Sequence, residues 1–202
     1  MRAAPLALIL LATPAVAQDR PPAMQPTRDV AVTYRTNGGE TVRMAWQANA
    51  NRMRMDMPAQ SAAMIVDMGA RTAIMVMEPQ RMAMRMAFDP SNLPFNPGAP
   101  DPSTRFVREG TATVAGLTCT NWRMEGGPHG TGSGCITADG VMLRGSGQSG
   151  GNAGSIEATE VRYGPQDPAR FQVPAGFQTM DMGNLGAGGM PPGLGGRTPR
   201  GK

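Results

Sequence analysis

Residues 52–57, Arg-Met-Arg-Met-Asp-Met, and residues 81–86, Arg-Met-Ala-Met-Arg-Met, place methionine at every second position. Successive side chains of a β-strand point to opposite faces, so each stretch predicts a strand with three methionines on one face. These methionines are Met53, Met55, Met57, Met82, Met84 and Met86. The opposite face carries Arg52, Arg54, Asp56, Arg81, Ala83 and Arg85. We therefore expect a sheet with one sulfur-rich face and one charged face.

Short alternating segments separated by turn residues surround the two stretches. Residues 30–34 and 42–46 flank Gly38-Gly39, which is a hairpin pattern. Two further segments between the methionine stretches carry Met64, Met68, Met75 and Met77. Links of two to five residues indicate an antiparallel meander, and alternation resumes after residue 103. The sequence predicts an all-β fold, a curved, half-barrel-like antiparallel sheet of about ten strands.

The ends of the chain differ in composition from its centre. Residues 1–17 combine Arg2, an apolar run and a small-residue site, which predicts a signal peptide cleaved after Ala17 and export to the periplasm. We expect residues 18–28 to form an extended leader and residues 29–182 to form a single β domain. Residues 183–202 are rich in glycine and proline and cannot bury enough apolar surface, so we expect a disordered tail.

Two interruptions are expected inside the β domain. Residues 88–103 contain five prolines and predict a stiff crossing, because proline removes a backbone donor and restricts φ. Asp167-Pro168 has the order of a helix cap followed by a first helical residue, which predicts a short helical turn. Two glycine-rich segments, residues 126–134 and 145–154, are expected to be loops.

Cys119 and Cys135 are the two cysteines of the chain. In an exported protein such a pair predicts a structural disulfide. The bond would close a loop of about 16 residues between neighbouring strands and contribute roughly 3 kcal/mol.

The sequence offers no convincing catalytic or cofactor motif. Residues 147–151 match Gly-x-Ser-x-Gly by letter, but no strand-to-helix elbow is expected there. His129 is the single histidine and lies in a glycine-rich loop without a cysteine partner, which argues against a zinc site and against a copper site of the histidine–cysteine type. We therefore expect a non-enzymatic protein with no catalytic residues, no cofactor and no assigned metal ligands.

The charge of the chain excludes one class of partner. There are 19 basic and 15 acidic residues, for a formal net charge of +4, and aromatic residues make up 4%. The basic residues are spread over many strands, so nucleic acid is not an expected partner. Arg197, Arg200 and Lys202 favour a weak contact of the tail with an anionic membrane surface.

The methionines have four possible explanations. The first explanation is an adaptable surface for a flexible apolar ligand, and the second is ligation of Cu(I) by soft thioethers. The third is an oxidation sink, and the fourth is an ordinary core in a chain with few aromatics. Our leading interpretation is a periplasmic binding protein for a lipid or another apolar envelope ligand, and a Cu(I)-binding or oxidation-buffering protein is the alternative. The predicted ligand-binding residues are Met53, Met55, Met57, Met82, Met84, Met86, Met75, Met77 and Trp46.

Four short motifs carry a resemblance to a known group of proteins. Residues 52–57, 80–86, 115–122 (Ala-Gly-Leu-Thr-Cys-Thr-Asn-Trp) and 171–177 (Phe-Gln-Val-Pro-Ala-Gly-Phe) together resemble a domain-of-unknown-function family of exported bacterial proteins. That family is similar in outline to the LolA/LppX half-barrels. The resemblance implies a curved antiparallel sheet whose concave face holds acyl chains, and it implies no catalytic residues.

Overall fold

The computed structural model describes residues 23–89, 102–126, 130–149 and 152–182. Twelve strands within these residues form one sheet that is curved and not closed. The all-β, half-barrel-like fold predicted from alternation is confirmed. The strands are β1 Val30–Thr36, β2 Thr41–Gln47, β3 Arg52–Met57, β4 Ala62–Asp67, β5 Thr72–Met77, β6 Met82–Ala87, β7 Arg105–Val114, β8 Leu117–Glu125, β9 Gly132–Ile136, β10 Met142–Ser149, β11 Asn152–Tyr163 and β12 Gln178–Asp181.

The strand order across the sheet is β12-β6-β5-β4-β3-β2-β1-β11-β10-β9-β8-β7. Strands β1 to β6 form the predicted antiparallel meander. Strand β12 is the exception, because it pairs with β6 in parallel. The alternation pattern predicts no strand at residues 178–181, so this edge strand is an addition to the predicted sheet.

The meander from β3 to β6 repeats every ten residues. Each turn ends on a residue with left-handed backbone geometry, and these are Asn51, Ser61, Arg71 and Arg81, with φ between 48° and 51°. A six-residue strand follows each of them directly. Because strand and turn lengths are constant, each hairpin has the same register as the next. This regularity decides which side chains stand opposite one another.

Two predicted loops are partly strands. Strand β10 runs through Gly145 and Gly147 to Ser149, and β11 begins at Asn152, so the prediction of a loop is wrong at residues 145–149 and 152–154. Strand β9 likewise begins at Gly132. Glycine and serine give a weak strand signal by themselves, and here the pairing of β10 with β9 and β11 on both sides keeps them extended.

The predicted helical turn is confirmed, and other predicted segments fall outside the described residues. Pro168–Phe171 forms a single 3₁₀ turn, and the Asp167 carboxylate accepts a hydrogen bond from the backbone N–H of Ala169 at 2.9 Å. The signal peptide, the proline-rich crossing from residue 90 to 101, His129 and the tail from residue 183 lie outside the described residues.

The largest hydrophobic cluster lies around β1 and the disulfide. Val30, Val32 and Leu143 are fully buried in it, together with Cys119 and Cys135. The two cysteines are bonded, with their Cα atoms 5.3 Å apart, so the predicted disulfide is confirmed. This cluster joins β1 and β2 to β8 and β10 and anchors the sheet on which the methionine strands are built. Its buried members are Val30, Val32, Tyr34, Met44, Trp46, Val114, Cys119, Cys135, Val141, Leu143 and Ala158.

The reverse face of the methionine strands differs from the prediction. It is not simply charged, because Ala63, Ile65 and Val76 are buried there under Phe171. Arg54 and Asp56 lie at this face as predicted, but they form an ion pair at 2.6 Å, and Arg54 also donates to the carbonyl oxygen of Arg170 at 2.8 Å. The prediction of a charged face is therefore wrong at its centre, since a distant segment of the chain covers it.

Gly140 lies directly against the backbone of Gln25, in the segment that precedes β1. A substitution at Gly140 therefore tests how firmly this segment is packed. Gly140 has a φ of +90°, and a Cβ at this position would collide with the carbonyl oxygen of Gln25 and lie 2.6 Å from its carbonyl carbon. Gly39 has a similar φ of +81° with no atom within 4 Å of its Cβ position. We expect Gly39→Ala to cost about 1 kcal/mol of unfolding free energy through backbone strain.

Gly140→Ala should cost about 1 kcal/mol more than Gly39→Ala, because it adds overpacking to the same strain. Urea denaturation of both variants measures the difference. Equal costs would show that the chain at Gln25 moves away freely.

Candidate functional site

The methionines of neighbouring strands stand directly opposite one another. Met55 pairs with Met44 on one side and with Met64 on the other, and Met75 pairs with Met64 and with Met84. Met180 of β12 completes the series beside Met84. We call this series the central row. It crosses six strands without interruption and consists of Met44, Met55, Met64, Met75, Met84 and Met180.

Two further rows lie beside the central row on the same face. In one, Trp46, Met53, Val66, Ala73 and Met86 are in register. In the other, Met57, Ala62, Met77, Met82 and Gln178 are in register. The three rows together are the methionine face. All nine predicted ligand-binding residues therefore lie on one continuous surface of the sheet.

Exposure varies along the methionine face. At its β2 end, Trp46 and Met44 are buried, with exposed fractions of 3% and 8%. The predicted methionines on β3, β5 and β6 are half-buried. At the β12 edge Met180 is 44% exposed. The central row therefore changes from buried at β2 to exposed at β12, whereas Val66 and Ala73 in the row beside it are buried, with exposed fractions of 1% and 2%.

The closed end of the face merges with the main hydrophobic cluster. Met44 pairs with Val32 and Trp46 with Val30, and both valines are fully buried. Within the described residues no acceptor lies within hydrogen-bonding distance of the Trp46 indole N–H, although the side chain is buried. The Trp46 indole N–H therefore lies inside the protein, and the part of the methionine face that is open to a ligand begins at the half-buried methionines of β3.

Four methionines form a compact block at the β5–β6 hairpin. Met75 stands opposite Met84, and Met77 stands opposite Met82. Met75 and Met77 are two residues apart on one strand, as are Met82 and Met84 on the next. The block places four thioethers side by side on one face.

The sequence did not predict three members of the central row as site residues. These are Met44, Met64 and Met180, and their place in the row depends on the pairing register between strands.

A second group of polar residues lies at an open cavity of about 540 Å³ near the end of β11. The Arg28 guanidinium stacks 4.0 Å from the centre of the Tyr163 ring and binds the Asp139 carboxylate at 2.9 Å. Tyr163 and Thr137 donate hydrogen bonds to the same carboxylate. Asp29 accepts backbone N–H groups of residues 48 and 166. The side chains of Arg28, Asp29 and Tyr163 at this cavity are therefore engaged by other groups of the protein.

The charge of Asp139 follows from those contacts. Burial pushes the pKa of its carboxyl upward, but hydrogen bonds from Thr137, Arg28 and Tyr163 outweigh burial and hold the pKa below its usual value. Asp139 is therefore ionised at neutral pH and ties the segment before β1 to the turn between β9 and β10.

The described residues hold no obvious catalytic or hard-metal centre. No group of three or more His, Cys, Asp or Glu side chains within them could hold a metal ion. Gly147 and Ser149 lie on β10, and the next described element is the strand β11, so the Gly-x-Ser-x-Gly letters are not followed by a helix. Within the described ranges no helix is long and apolar enough to cross a membrane.

Solved structures share this fold at low sequence identity. An uncharacterised conserved protein of Thermus thermophilus aligns with a TM-score of 0.55 and 12% identity, over 77% of this chain and 91% of its own. The MucA/MucB complex of Pseudomonas aeruginosa aligns with a TM-score of 0.51 and 14% identity, over 75% of this chain and 58% of that chain. PNGF-II aligns with a TM-score of 0.51 and 10% identity, over 79% of this chain and only 32% of that chain.

These likenesses show the fold and not the function, since identity is far below a level that carries function. A LolA superfamily protein of Nitrosomonas europaea also aligns, with 9% identity over 74% of this chain and 92% of its own. Its TM-score of 0.35 is too low to carry an argument. No family model matches the sequence, and no curated protein matches it. The resemblance to a domain-of-unknown-function family stays a prediction.

Proposed function

We propose that this protein is a non-enzymatic periplasmic binding protein that holds a lipid or another apolar envelope ligand on its methionine face. The observation that carries the proposal is the uninterrupted central row, which runs from buried Met44 to exposed Met180 in register across six strands. A plain core would be closed at both ends, whereas this row opens at the sheet edge.

The dimensions of the row suit an acyl chain. Strands are spaced about 4.8 Å apart, so six strands make a row of about 24 Å. The hydrocarbon core of a bilayer is about 30 Å thick, so one chain spans a leaflet of about 15 Å. The central row is therefore long enough for a whole acyl chain to lie across the strands.

Methionine suits such a ligand better than a β-branched residue would. Its side chain is unbranched and flexible and follows the shape of a mobile apolar partner. The half-buried methionines of β3 to β6 leave part of each side chain available for contact. Apolar contact contributes about 25 cal/mol for each Å² removed from water. Affinity would thus grow with the length of chain that lies on the row.

One substitution tests the proposal at the open part of the row. Met84→Glu places a carboxylate in the path of the ligand, and we expect it to weaken binding of a fluorescent fatty-acid probe by about tenfold or more, because the charge loses water on binding. Ala87→Glu is the matched control. It adds the same charge to the same strand, but residue 87 is exposed and its side chain belongs to the opposite face.

Probe titration followed by fluorescence measures both variants, after circular dichroism has confirmed that they fold. Equal weakening by the two substitutions would point to a general charge effect and contradict a ligand on the methionine face. Failure of the wild-type protein to bind the probe would reject the proposal outright.

A further inference from the structure

We propose that Met75, Met77, Met82 and Met84 form a binding site for Cu(I). Both pairs of the block stand directly opposite each other in the β5–β6 ladder, Met75 with Met84 and Met77 with Met82. Opposite Cβ atoms of an antiparallel pair lie about 5 Å apart. Residues two apart on a strand are separated by about 7 Å. The four side chains thus rise from the corners of a small rectangle on one face.

An ion above this rectangle is within reach of all four side chains. The centre lies about 4 Å from each Cβ, given the spacings of strands and residues. Methionine places its sulfur two bonds beyond Cβ, and its flexible chain directs that sulfur over a range of positions. No backbone movement is needed for three or four thioethers to converge on one ion.

The chemistry of the block selects a soft cation. Thioether sulfur is a soft, uncharged ligand that suits Cu(I), whereas Zn²⁺ and harder cations take nitrogen, oxygen or thiolate donors. The direct neighbours of the block on this face are Met64, Met180, Ala62 and Gln178, and none carries a charge. Because the four methionines are half-buried, the ion can enter from solvent while the site stays partly shielded from water.

This site goes beyond the proposed lipid binding and does not depend on it. Acyl chains are held by apolar area, which leucine supplies as well as methionine does. Cu(I) is held by the sulfur lone pair, which leucine lacks. Replacement of these methionines by leucine therefore removes the proposed Cu(I) ligands while it keeps an apolar side chain at each position.

The decisive variant carries leucine at all four positions of the block, Met75→Leu, Met77→Leu, Met82→Leu and Met84→Leu. The matched control carries Met53→Leu, Met57→Leu and Met86→Leu. These three methionines lie on the same face, but their direct partners in the described ladders are not methionine. Each protein, purified from the periplasm, is titrated anaerobically with Cu(I) in competition with a colorimetric Cu(I) chelator. Circular dichroism and thermal unfolding establish that each variant is folded.

We expect the wild-type protein and the control to bind one Cu(I) with the same affinity, and we expect the block variant to be unable to take Cu(I) from the chelator. Equal loss in both variants, or binding retained in the block variant, overturns the assignment.

X-ray absorption at the copper edge of the wild-type protein tests the site without any substitution. This test therefore remains valid even if the block variant does not fold. A first shell of three or four sulfur atoms supports the site, and a shell containing nitrogen or oxygen overturns it. Absence of Cu(I) binding together with probe binding would reject this inference and leave the proposed function intact.

Discussion

Phe171→Ala is expected to lower the free energy of unfolding by about 3–5 kcal/mol, the cost typical of removing a buried phenylalanine. Phe171 is 5% exposed and packs on the reverse face of the methionine strands against Ala45, Ala63, Ile65 and Val76. The substitution removes the main cover of this face and leaves a cavity beside β3 to β5.

The loss should also loosen β12. The 3₁₀ turn that contains Phe171 precedes β12 by six residues, and β12 is held to the sheet by its parallel pairing with β6. Urea denaturation gives the change in stability, and hydrogen exchange at residues 178–181 reports the loosening of the edge strand.

Phe177→Ala is the control for this experiment. Phe177 is half-buried at the margin of the same cluster and contacts the Arg81 guanidinium, 5.9 Å from its ring centre. We expect it to cost about 1–2 kcal/mol, since less apolar area is lost. If Phe171→Ala cost no more than Phe177→Ala, the C-terminal segment would not be the cover that the structure describes.

Loss of the disulfide is the second large effect. The Cys119→Ala/Cys135→Ala variant should lose about 3 kcal/mol of unfolding free energy, because the bond restricts a loop of 16 residues in the unfolded chain. Both cysteines are buried in the main hydrophobic cluster, with exposed fractions of 2% and 1%, so their removal also loosens packing between β8 and β9.

The control is addition of a reductant to each protein. Reduction should destabilise the wild-type protein and leave the double variant unchanged, as measured by urea denaturation. Thiol labelling of denatured, unreduced protein should detect no free cysteine. Two labelled cysteines, or a double variant as stable as the wild type, would contradict a structural role for the bond.

Local properties of the chain account for what the sequence could predict. Alternation with a period of two is a property of any extended backbone, so Met53, Met55 and Met57 had to share a face once residues 52–57 formed a strand. The disulfide followed from the presence of two cysteines and a predicted export signal, and the 3₁₀ turn from Asp167-Pro168. The strand faces and the 3₁₀ turn were predicted from residues close together in the sequence, and the disulfide was predicted from the number of cysteines.

The rows of the methionine face required the register between strands. Register depends on turn geometry. None of the left-handed residues at 51, 61, 71 and 81 is a glycine, and among them only Asn51 is of a type enriched in that geometry. Nothing local indicates that Met64 stands between Met55 and Met75, or that Met180 joins Met84 from nearly a hundred residues away.

The reverse face of the methionine strands also shows the difference between what local sequence predicts and what tertiary contacts decide. By sequence, residues 52–56 and 81–85 present arginine and aspartate opposite the methionines, and that pattern alone predicts a surface open to water. Tertiary structure brings Phe171 onto it, and Arg54 reaches the carbonyl oxygen of Arg170 across 116 positions of sequence. The sequence by itself determined which side chains share a face, because that is a matter of neighbouring peptide units. Only the tertiary structure decided which face is covered and where the methionine rows open to solvent, because covering a face requires contacts between segments that are far apart in the chain.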